Sequence, residues 1–262
     1  MHPRRLQTSA ALAACLVLLL SGWAPGAPAS QPSTRPAAWR PTPVTRPAAP
    51  LLNNPRNVQD LHQIQTRVED VVRRCTPAVV GVLLGSSQGS GVIISPDGYV
   101  LTAAHVAKEA NREVTLVLAD GRRVKATTLG MNRTLDSGLI KITTPGKYTH
   151  VSVGNSADLR VGQWCIALGH PGGYRRDRPP PVRLGRILTH HGRAIGTDCT
   201  LIGGDSGGPL FDLDGNVVGI HSRIGSSAQA NVHVPIDTFI ETWDRLLKSE
   251  VWGTTTAPSR RR

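Results

Sequence analysis

The stretch Ser95-Pro96-Asp97-Gly98-Tyr99-Val100-Leu101-Thr102-Ala103 carries the pattern that decides the fold of this chain. Its first four residues are turn formers, since proline fixes φ for a turn and glycine tolerates the conformation that closes one. The next five residues are mostly aromatic, β-branched or aliphatic, and they predict a short strand. A turn that leads at once into a short apolar strand is typical of an antiparallel sheet.

The same pattern recurs on both sides of this stretch, so the fold class is predicted to be all-β. After Pro77 about twelve further short runs are separated by Gly, Pro, Asn or Asp, which favours paired antiparallel barrels over alternating strands and helices. These runs are Ala78–Leu84, Gly91–Ser95, Val114–Leu118, Arg123–Met131, Leu139–Thr143, Val151–Gly154, Gln163–Gly169, Val182–His190, Cys199–Ile202, Pro209–Asp212, Val217–Ser222 and Val232–Pro235.

Helical spacing occurs only at the two ends of this β region. Apolar residues recur every three or four positions from Val58 to Val72, which predicts an amphipathic helix that ends near Cys75, before Pro77. The same spacing from Ile236 to Leu247 predicts a helix at the C-terminal side. Residues 57–252 are therefore expected to form a single domain, large enough to bury a stable core.

The segments outside this domain have other compositions. Residues 1–29 resemble an export signal, with Arg4 and Arg5, an apolar run and an Ala-Pro-Ala cleavage site. The apolar run is shorter than the roughly 20 residues of a membrane-spanning helix, so cleavage is favoured over a short anchor. The run continues past Cys15, which favours ordinary cleavage over lipoprotein processing at that cysteine. Residues 30–56 are Pro-rich and predict an extended disordered tether, and residues 253–262 a basic disordered tail. We expect an exported, periplasmic or secreted protein with no stable membrane span.

The formal net charge of +12 is concentrated in the termini. Between Cys75 and Trp252 there are 18 Lys and Arg against 15 Asp and Glu, a difference of +3. A nearly balanced domain does not predict a nucleic-acid partner.

The cysteines of this region, Cys75, Cys165 and Cys199, have no zinc spacing, nor does the pair His190-His191, so no metal site is expected. The three cysteines are read as core residues or as one disulfide and a free thiol.

Three motifs together predict nucleophilic catalysis. Ser206 lies in the glycine-rich stretch Gly203-Gly204-Asp205-Ser206-Gly207-Gly208, His105 follows Leu101-Thr102-Ala103-Ala104, and Asp136 precedes Ser137-Gly138-Leu139-Ile140. Each residue alone fits a structural role. In the order His, Asp, Ser they form one of the known triads, in which the histidine takes the proton of the serine and the aspartate orients the histidine. The N–H groups of Gly204 and Ser206 would then form the oxyanion hole.

The motifs also resemble those of bacterial Deg-type serine proteases. The resemblance lies in Gly89–Val106, in Asp136 with Leu139–Ile142, in Ile166–Gly172 and in Thr197-Asp198, and it extends from about Val71 to Ile240. It implies a chymotrypsin-like fold of two six-stranded β-barrels, with His105 and Asp136 in the first barrel and Ser206 in the second. It implies protein or peptide substrates, an acyl-enzyme, and neither a metal nor an organic cofactor. The oligomeric state is left open.

Two departures from the family pattern stand out. Deg-type proteins usually carry a peptide-binding PDZ domain after the protease, and since ten residues follow Trp252, none is expected here. The family has Asn before its serine, whereas this chain has Asp205, as in the trypsin-like branch. There the aspartate pairs with a new N-terminus after zymogen cleavage, but no activation sequence precedes this domain. A buried Asp205 needs another partner, because an unpaired buried carboxylate is costly.

The residues that would recognise substrate are those the resemblance aligns with the pocket for the residue before the scissile bond. They are Thr200, His221, Ser222 and Arg223, with His233 as a further candidate. Gly219-Ile220-His221 resembles bacterial glutamyl endopeptidases, whose histidine helps bind an acidic side chain, so a preference for Glu or Asp is one hypothesis. Arg223 could instead block the pocket or point to solvent. The basic loop from Gly172 to Pro181 borders the cleft or is a solvated insertion.

The alternative to an active endopeptidase is a protease-like peptide-binding module. Such a protein would keep the triad but have a collapsed oxyanion loop or a pocket shut by Arg223. Asp205 and Arg223 are the two residues that raise this possibility.

Overall fold

The first helix forms as the sequence predicts. In the computed structural model, which describes residues 39–44, 52–225 and 231–254, helix α1 spans Val58–Cys75. The side chain of Asn57 accepts a hydrogen bond from the backbone N–H of Asp60 at 2.9 Å and caps the helix. A short 3₁₀ turn, Thr76–Ala78, contains Pro77 and ends the helix. The buried face of helix α1 carries Ile64, Val71 and Cys75, which point towards the barrels.

Six strands of the N-terminal half close into an antiparallel barrel. The strands pair in the order β5, β4, β1, β2, β3, β6, and pairing between β6 and β5 closes the ring. The bounds are β1 Val79–Leu84, β2 Ser87–Ile93, β3 Tyr99–Ala103, β4 Glu113–Val117, β5 Arg123–Asn132 and β6 Ser137–Ile142. All five residues of β3 are buried, and its turn is fixed by Ser95, whose hydroxyl accepts from the N–H of Tyr99 at 2.8 Å.

Six further strands form the second closed barrel, so the predicted pair of six-stranded antiparallel barrels is confirmed. Their order is β10, β11, β12, β9, β8, β7, and β7 pairs with β10 to complete the ring. The bounds are β7 Trp164–Ala167, β8 Arg183–His191, β9 Ala194–Thr197, β10 Pro209–Phe211, β11 Val217–Arg223 and β12 Asn231–Pro235. Buried apolar side chains of both barrels and of the terminal helices form a large core.

The C-terminal helix differs from the prediction. Helix α3, Ile236–Glu241, and helix α4, Trp243–Leu247, are separated by Thr242, which has φ −104° and ψ 12°. The hydroxyl of Thr242 donates to the carbonyl of Thr238 at 2.7 Å, a local bond that often bends helices. The chain then adds strand β13, Val251–Trp252, parallel to β5.

Two predicted strands are absent from the described residues, and two observed strands were not predicted. Val151–Gly154 forms one isolated bridge, from Val153 to Val217. The 199–202 segment is a loop. Its carbonyl at Cys199 accepts a hydrogen bond from the side-chain amide of Asn231 at 2.8 Å, and not from the backbone of a neighbouring strand. Strands β9 and β13 escaped prediction because they are short, and β9 is half Ala and Gly.

Part of the predicted tether lies against the domain. The ring of Trp39 stacks on Tyr99 with centroids 6.0 Å apart and meets the edge of Trp243 at 5.7 Å. The backbone N–H of Val44 donates to the carbonyl of Val153 at 2.9 Å. Residues 39–44 are thus anchored by an aromatic cluster, which composition alone does not reveal. The predicted signal segment, including Cys15, and most of the predicted tail lie outside the described residues.

The three remaining cysteines are buried thiols. The sulfurs of Cys165 and Cys199 lie 3.8 Å apart inside the second barrel, and the Sγ of Cys75 lies 3.5 Å from the carbonyl of Gly215. They pack as core residues here, one of the two interpretations that the sequence allowed. Within the described part of the chain, no helix has the length and apolarity needed to cross a membrane.

Candidate active site

The first barrel brings His105 and Asp136 together through the pairing of β3 with β6. Ala103 is the last residue of β3 and lies opposite Ser137, the first residue of β6. His105 lies in helix α2, Ala104–Ala107, directly after β3, and Asp136 directly precedes β6. The N–H of Ala104 also donates to the carbonyl of Asp136 at 3.1 Å. Two residues that are 31 positions apart in the sequence therefore become neighbours at one end of the barrel.

The contact between these two side chains fixes the orientation of the imidazole. Nδ1 of His105 lies 2.8 Å from Oδ2 of Asp136 and 3.0 Å from Oδ1, while the backbone N–H of His105 donates to Oδ1 at 3.0 Å. An Nδ1–H held in this way leaves Nε2 as the ring nitrogen that can accept a proton. The His105 side chain is 47% exposed and that of Asp136 only 15%, so the imidazole meets the solvent while the carboxylate is covered.

A third group engages the same carboxylate. The hydroxyl of Ser222, on strand β11 of the second barrel, donates to Oδ2 of Asp136 at 2.6 Å. The sequence assigned Ser222 to the substrate pocket, yet its hydroxyl is directed to Asp136. This bond connects the two barrels at the site and gives the carboxylate of Asp136 a further hydrogen-bond donor.

Ser206 opens into the same pocket as His105. Both residues, together with Gly204, line a pocket of about 210 Å³. The rest of its lining comes from strands β1 and β2 and from helix α2 with the residue after it, namely Val82, Leu84, Ser87, Gln88, Val106 and Lys108. The pocket therefore joins the histidine of the first barrel to the serine of the second. Thr200, His221, Ser222 and Arg223 are not among its lining residues.

The turn around Ser206 is held by Ser90 of strand β2. The N–H of Ser90 donates to the carbonyl of Ser206 at 2.8 Å, and its hydroxyl donates to the carbonyl of Gly204 at 2.8 Å. The same hydroxyl accepts from the N–H of His170 at 2.9 Å. Ser90 lies in the Gly89–Val106 motif, and the motif alone indicates no role for it. The two glycines that flank it, Gly89 and Gly91, indicate a close approach of the backbone to another segment, and this was the sequence signal for its role.

Two glycines of the turn have backbone conformations that other residues rarely adopt. Gly204 has φ +98°, and a Cβ there would meet the carbonyl of His170 at 2.5 Å. Gly207 has φ +86°, and a Cβ there would collide with the carbonyl of Ser90. Among the described residues, no protein acceptor takes the N–H of Gly204 or of Ser206. Both N–H groups are therefore free to bind a substrate oxygen, as an oxyanion hole requires.

The structure supplies the partner that Asp205 lacked in the sequence. Oδ2 of Asp205 lies 2.6 Å from the guanidinium of Arg183, at the start of strand β8, and accepts from the N–H of Ile202 at 3.0 Å. The carboxylate is fully buried. Burial raises the pKa of Asp205 above its ordinary value, while the Ile202 N–H and Arg183 oppose that shift. Twenty-two positions separate the two residues, with no motif to connect them.

The two histidines of the predicted pocket form a buried pair. Nδ1 of His221 lies 2.9 Å from Nδ1 of His233, Nε2 of His221 lies 3.0 Å from the carbonyl of Leu168, and Nε2 of His233 lies 2.7 Å from the hydroxyl of Thr197. Neutral rings satisfy this chain of bonds. Burial lowers the pKa of His221 well below its usual value, with His233 adding to that shift, and lowers the pKa of His233 to about 3.

Two other predicted pocket residues, Thr200 and Arg223, are exposed, unlike the buried histidines. Thr200 is exposed on the 199–202 loop, and Arg223 is the exposed last residue of β11. The sequence grouped them with His221, which is completely buried with both ring nitrogens occupied. Only the exposed pair can therefore meet a substrate without a rearrangement of the second barrel.

The family assignment agrees with this geometry. Residues 89–220, half of the chain, match the trypsin-like peptidase domain. The chain belongs to this family. Its peptidase domain contains all three predicted triad residues, and the match ends within strand β11.

Relatives of the peptidase domain confirm the resemblance to Deg-type proteases. A probable periplasmic serine endoprotease, DegP-like, from Halomonas elongata is 38% identical over 168 residues, which is 61% of this chain and 35% of that protein. The protein of the same name from Pseudomonas fluorescens is 39% identical over 169 residues, again 61% and 35%. The chain thus spans about a third of the length of these curated relatives.

Solved structures agree in fold. The HtrA-type protease AlgW, in a complex with a tripeptide, aligns with a TM-score of 0.61 at 28% identity, over 69% of this chain and 64% of that one. Deg5 aligns with a TM-score of 0.60 at 26% identity, over 72% of this chain and 97% of that one.

Proposed function

We propose that this chain is an exported serine endopeptidase that cleaves proteins or peptides through the triad His105, Asp136 and Ser206. The observation that carries the proposal is the contact of the His105 Nδ1 with both carboxylate oxygens of Asp136, in a pocket that His105 shares with Ser206. The names of the relatives, which are periplasmic serine endoproteases, support both the reaction and the export.

In the proposed reaction, the Ser206 hydroxyl attacks the carbonyl carbon of the scissile bond, and its proton moves to Nε2 of His105. Asp136 stabilises the imidazolium that forms. The carbonyl oxygen gains negative charge and is bound by the N–H groups of Gly204 and Ser206, each of which lowers the barrier by roughly 3 kcal/mol. His105 then protonates the leaving amine, and the acyl-enzyme forms. A water molecule, deprotonated by His105, hydrolyses the ester and restores Ser206.

The test is cleavage of a library of internally quenched peptides, with the cleavage positions read by mass spectrometry. The purified protein should release fluorescence, and Ser206→Ala should reduce kcat/KM at least 1000-fold while the folded structure is retained, because no other nucleophile takes its place. Equal cleavage by Ser206→Ala would point to a contaminating protease and would reject the proposal.

We further propose that the enzyme prefers Glu or Asp before the scissile bond, and that this preference depends on Arg223 and Thr200 and not on His221. Both are exposed, and Arg223 follows Ser222, whose hydroxyl reaches the triad. A guanidinium can pair with a carboxylate side chain. In peptides that vary this one position, Arg223→Ala should reduce cleavage after Glu more than cleavage after Leu. Equal or better cleavage after Leu, Val or Ala by the wild type would reject the acidic preference.

A protease-like binding module remains the second candidate, because the family resemblance aligns Arg223 with the substrate pocket. Two observations disfavour it. The N–H groups of Gly204 and Ser206 are not bonded to other described residues, and Arg223 lies exposed at the end of its strand. Binding of the peptide library without any cleavage would favour the module.

A further inference from the structure

Arg183 and Asp205 form a largely buried ion pair directly behind the candidate oxyanion hole. The guanidinium lies 2.6 Å from Oδ2, and the side chains are 16% and 0% exposed. The carboxylate also packs against the backbone of Gly169, where a Cβ would meet Oδ1 of Asp205 at 2.6 Å. Such a carboxylate has no access to water, so its charge depends on the protein groups around it.

Asp205 lies between the two residues whose N–H groups are free. Its own N–H donates to the carbonyl of Ile202 at 3.1 Å, and its carbonyl accepts from the N–H of Gly208 at 2.8 Å. Its side chain accepts from the N–H of Ile202. The side chain and the backbone of Asp205 therefore both tie the turn to its own base. The direction of the Gly204 and Ser206 N–H groups follows from where this residue is held.

The segment 172–183 braces the same turn from both of its ends. At one end the N–H of Gly172 donates to the carbonyl of Gly203 at 2.7 Å, and at the other end Arg183 binds Asp205. Arg178 also lies close enough to favour the ionised carboxylate, but its guanidinium donates to the carbonyl of Pro171 at 2.7 Å. The loop that the sequence described as basic and proline-rich is thus in contact with the catalytic turn.

We propose that Arg183 is a positioning residue for catalysis, and that its ion pair with Asp205 keeps the N–H groups of Gly204 and Ser206 directed into the cleft. In trypsin-like enzymes that are activated by cleavage, the equivalent aspartate pairs with a new N-terminus. Here the cation comes from a side chain inside the domain, so the pair forms in the uncut chain. The inference rests on the proposed function, because it assigns Arg183 a role in the same oxyanion hole.

The test compares Arg183→Met, Arg183→Lys, Asp205→Asn and the double variant Arg183→Met/Asp205→Asn with the wild type. Arg183→Met should reduce kcat at least 100-fold with little change in KM, the size of effect that loss of an oxyanion donor has. Arg183→Lys should recover part of the activity, since a cation is restored. The double variant should be at least 10-fold more active than Arg183→Met, because it leaves no unpaired carboxylate. Arg176→Met, an exposed residue of the same loop, is the control and should match the wild type.

Two outcomes overturn the inference. One is an Arg183→Met protein that is folded and retains the wild-type kcat. The other is a double variant that is no more active, and no better folded, than Arg183→Met. The wild type, Arg183→Met, Asp205→Asn and the double variant form a double-mutant cycle. Their thermal unfolding tests the ion pair independently of turnover. If the stability losses of Arg183→Met and Asp205→Asn add up to the loss of the double variant, the ion pair is overturned, even if the wild type cleaves nothing. If the two losses are strongly coupled and the wild type is inactive, only the proposed function is rejected.

Discussion

At the scale of single residues, Asp136 connects the two barrels through the hydrogen bonds of its carboxylate. It lies at φ +65°, an uncommon conformation for an aspartate, and its carboxylate receives His105 from one barrel and Ser222 from the other. Its carbonyl accepts from the N–H of Ala104. We therefore expect Ser222 to support Asp136 in the proposed triad, whereas the sequence predicts a place for it in the substrate pocket.

Removal of the Ser222 hydroxyl tests that assignment. We expect Ser222→Ala to lower kcat about 10-fold with KM nearly unchanged, because a hydrogen bond to a charged group contributes about 1.5 kcal/mol or more. Steady-state kinetics on one quenched peptide measures both constants. Thr200→Ala is the matched control, since Thr200 is exposed and its effect should fall on KM. A Ser222→Ala protein with altered KM and unchanged kcat would return Ser222 to the pocket.

At the scale of elements, the segment 39–44 is attached to the domain through Trp39, with further contacts from Arg40 and from the backbone of Val44. Trp39 contacts the rings of Tyr99 and Trp243, and its carbonyl accepts from the indole N–H of Trp243 at 3.2 Å. Arg40 adds an ion pair with Asp244, but both side chains are 59% exposed. Exposed pairs contribute little, so the aromatic contacts carry the attachment.

We expect Trp39→Ala to lower the free energy of unfolding by about 2 kcal/mol, which is the loss of two aromatic pairs and part of the buried area of the indole. In a domain of this size that corresponds to a fall in Tm of roughly 4–8 °C. Differential scanning calorimetry measures it, and Thr42→Ala, at an exposed position of the same segment, should leave Tm unchanged. Equal Tm values for Trp39→Ala and the wild type would show that the segment is not anchored.

At the scale of the whole molecule, the buried histidines make stability depend on pH. His233 has a pKa of about 3 in the fold, lowered by burial from its ordinary value of 6.5. Below pH 6.5 the unfolded chain therefore binds a proton that the folded chain refuses. The stability that the neutral ring contributes is complete above pH 6.5 and is lost progressively as the pH falls towards 3.

We expect His233→Gln to weaken this dependence. Between pH 7 and pH 4.5 the wild type should lose about 2–3 kcal/mol more of its free energy of unfolding than the variant does. Urea unfolding at both pH values measures the difference. His191→Gln, at an exposed position, is the control and should follow the wild type. Parallel losses in His233→Gln and the wild type would mean that His233 does not titrate as its burial implies.

The sequence predicted what is encoded locally. Turn residues followed by short apolar runs gave both barrels, and separate motifs indicated His105, Asp136 and Ser206. It did not predict contacts that depend on how distant strands are stacked. Arg183 reaches Asp205 only because β8 begins beside the turn before β10, and Ser222 reaches Asp136 only because the barrels abut. The buried pair of His221 and His233 depends likewise on the register of β11 against β12.

The most direct test of the central claim is the stoichiometry of covalent labelling by a fluorophosphonate, read as intact mass. The probe reacts only with a serine that is activated by a base and faces an oxyanion hole. The account predicts one probe per wild-type chain, attached to Ser206 in the peptide map. It predicts no labelling of Ser206→Ala and strongly slowed labelling of His105→Ala. A folded wild-type protein that takes up no probe, or takes it up at another residue, would contradict the account.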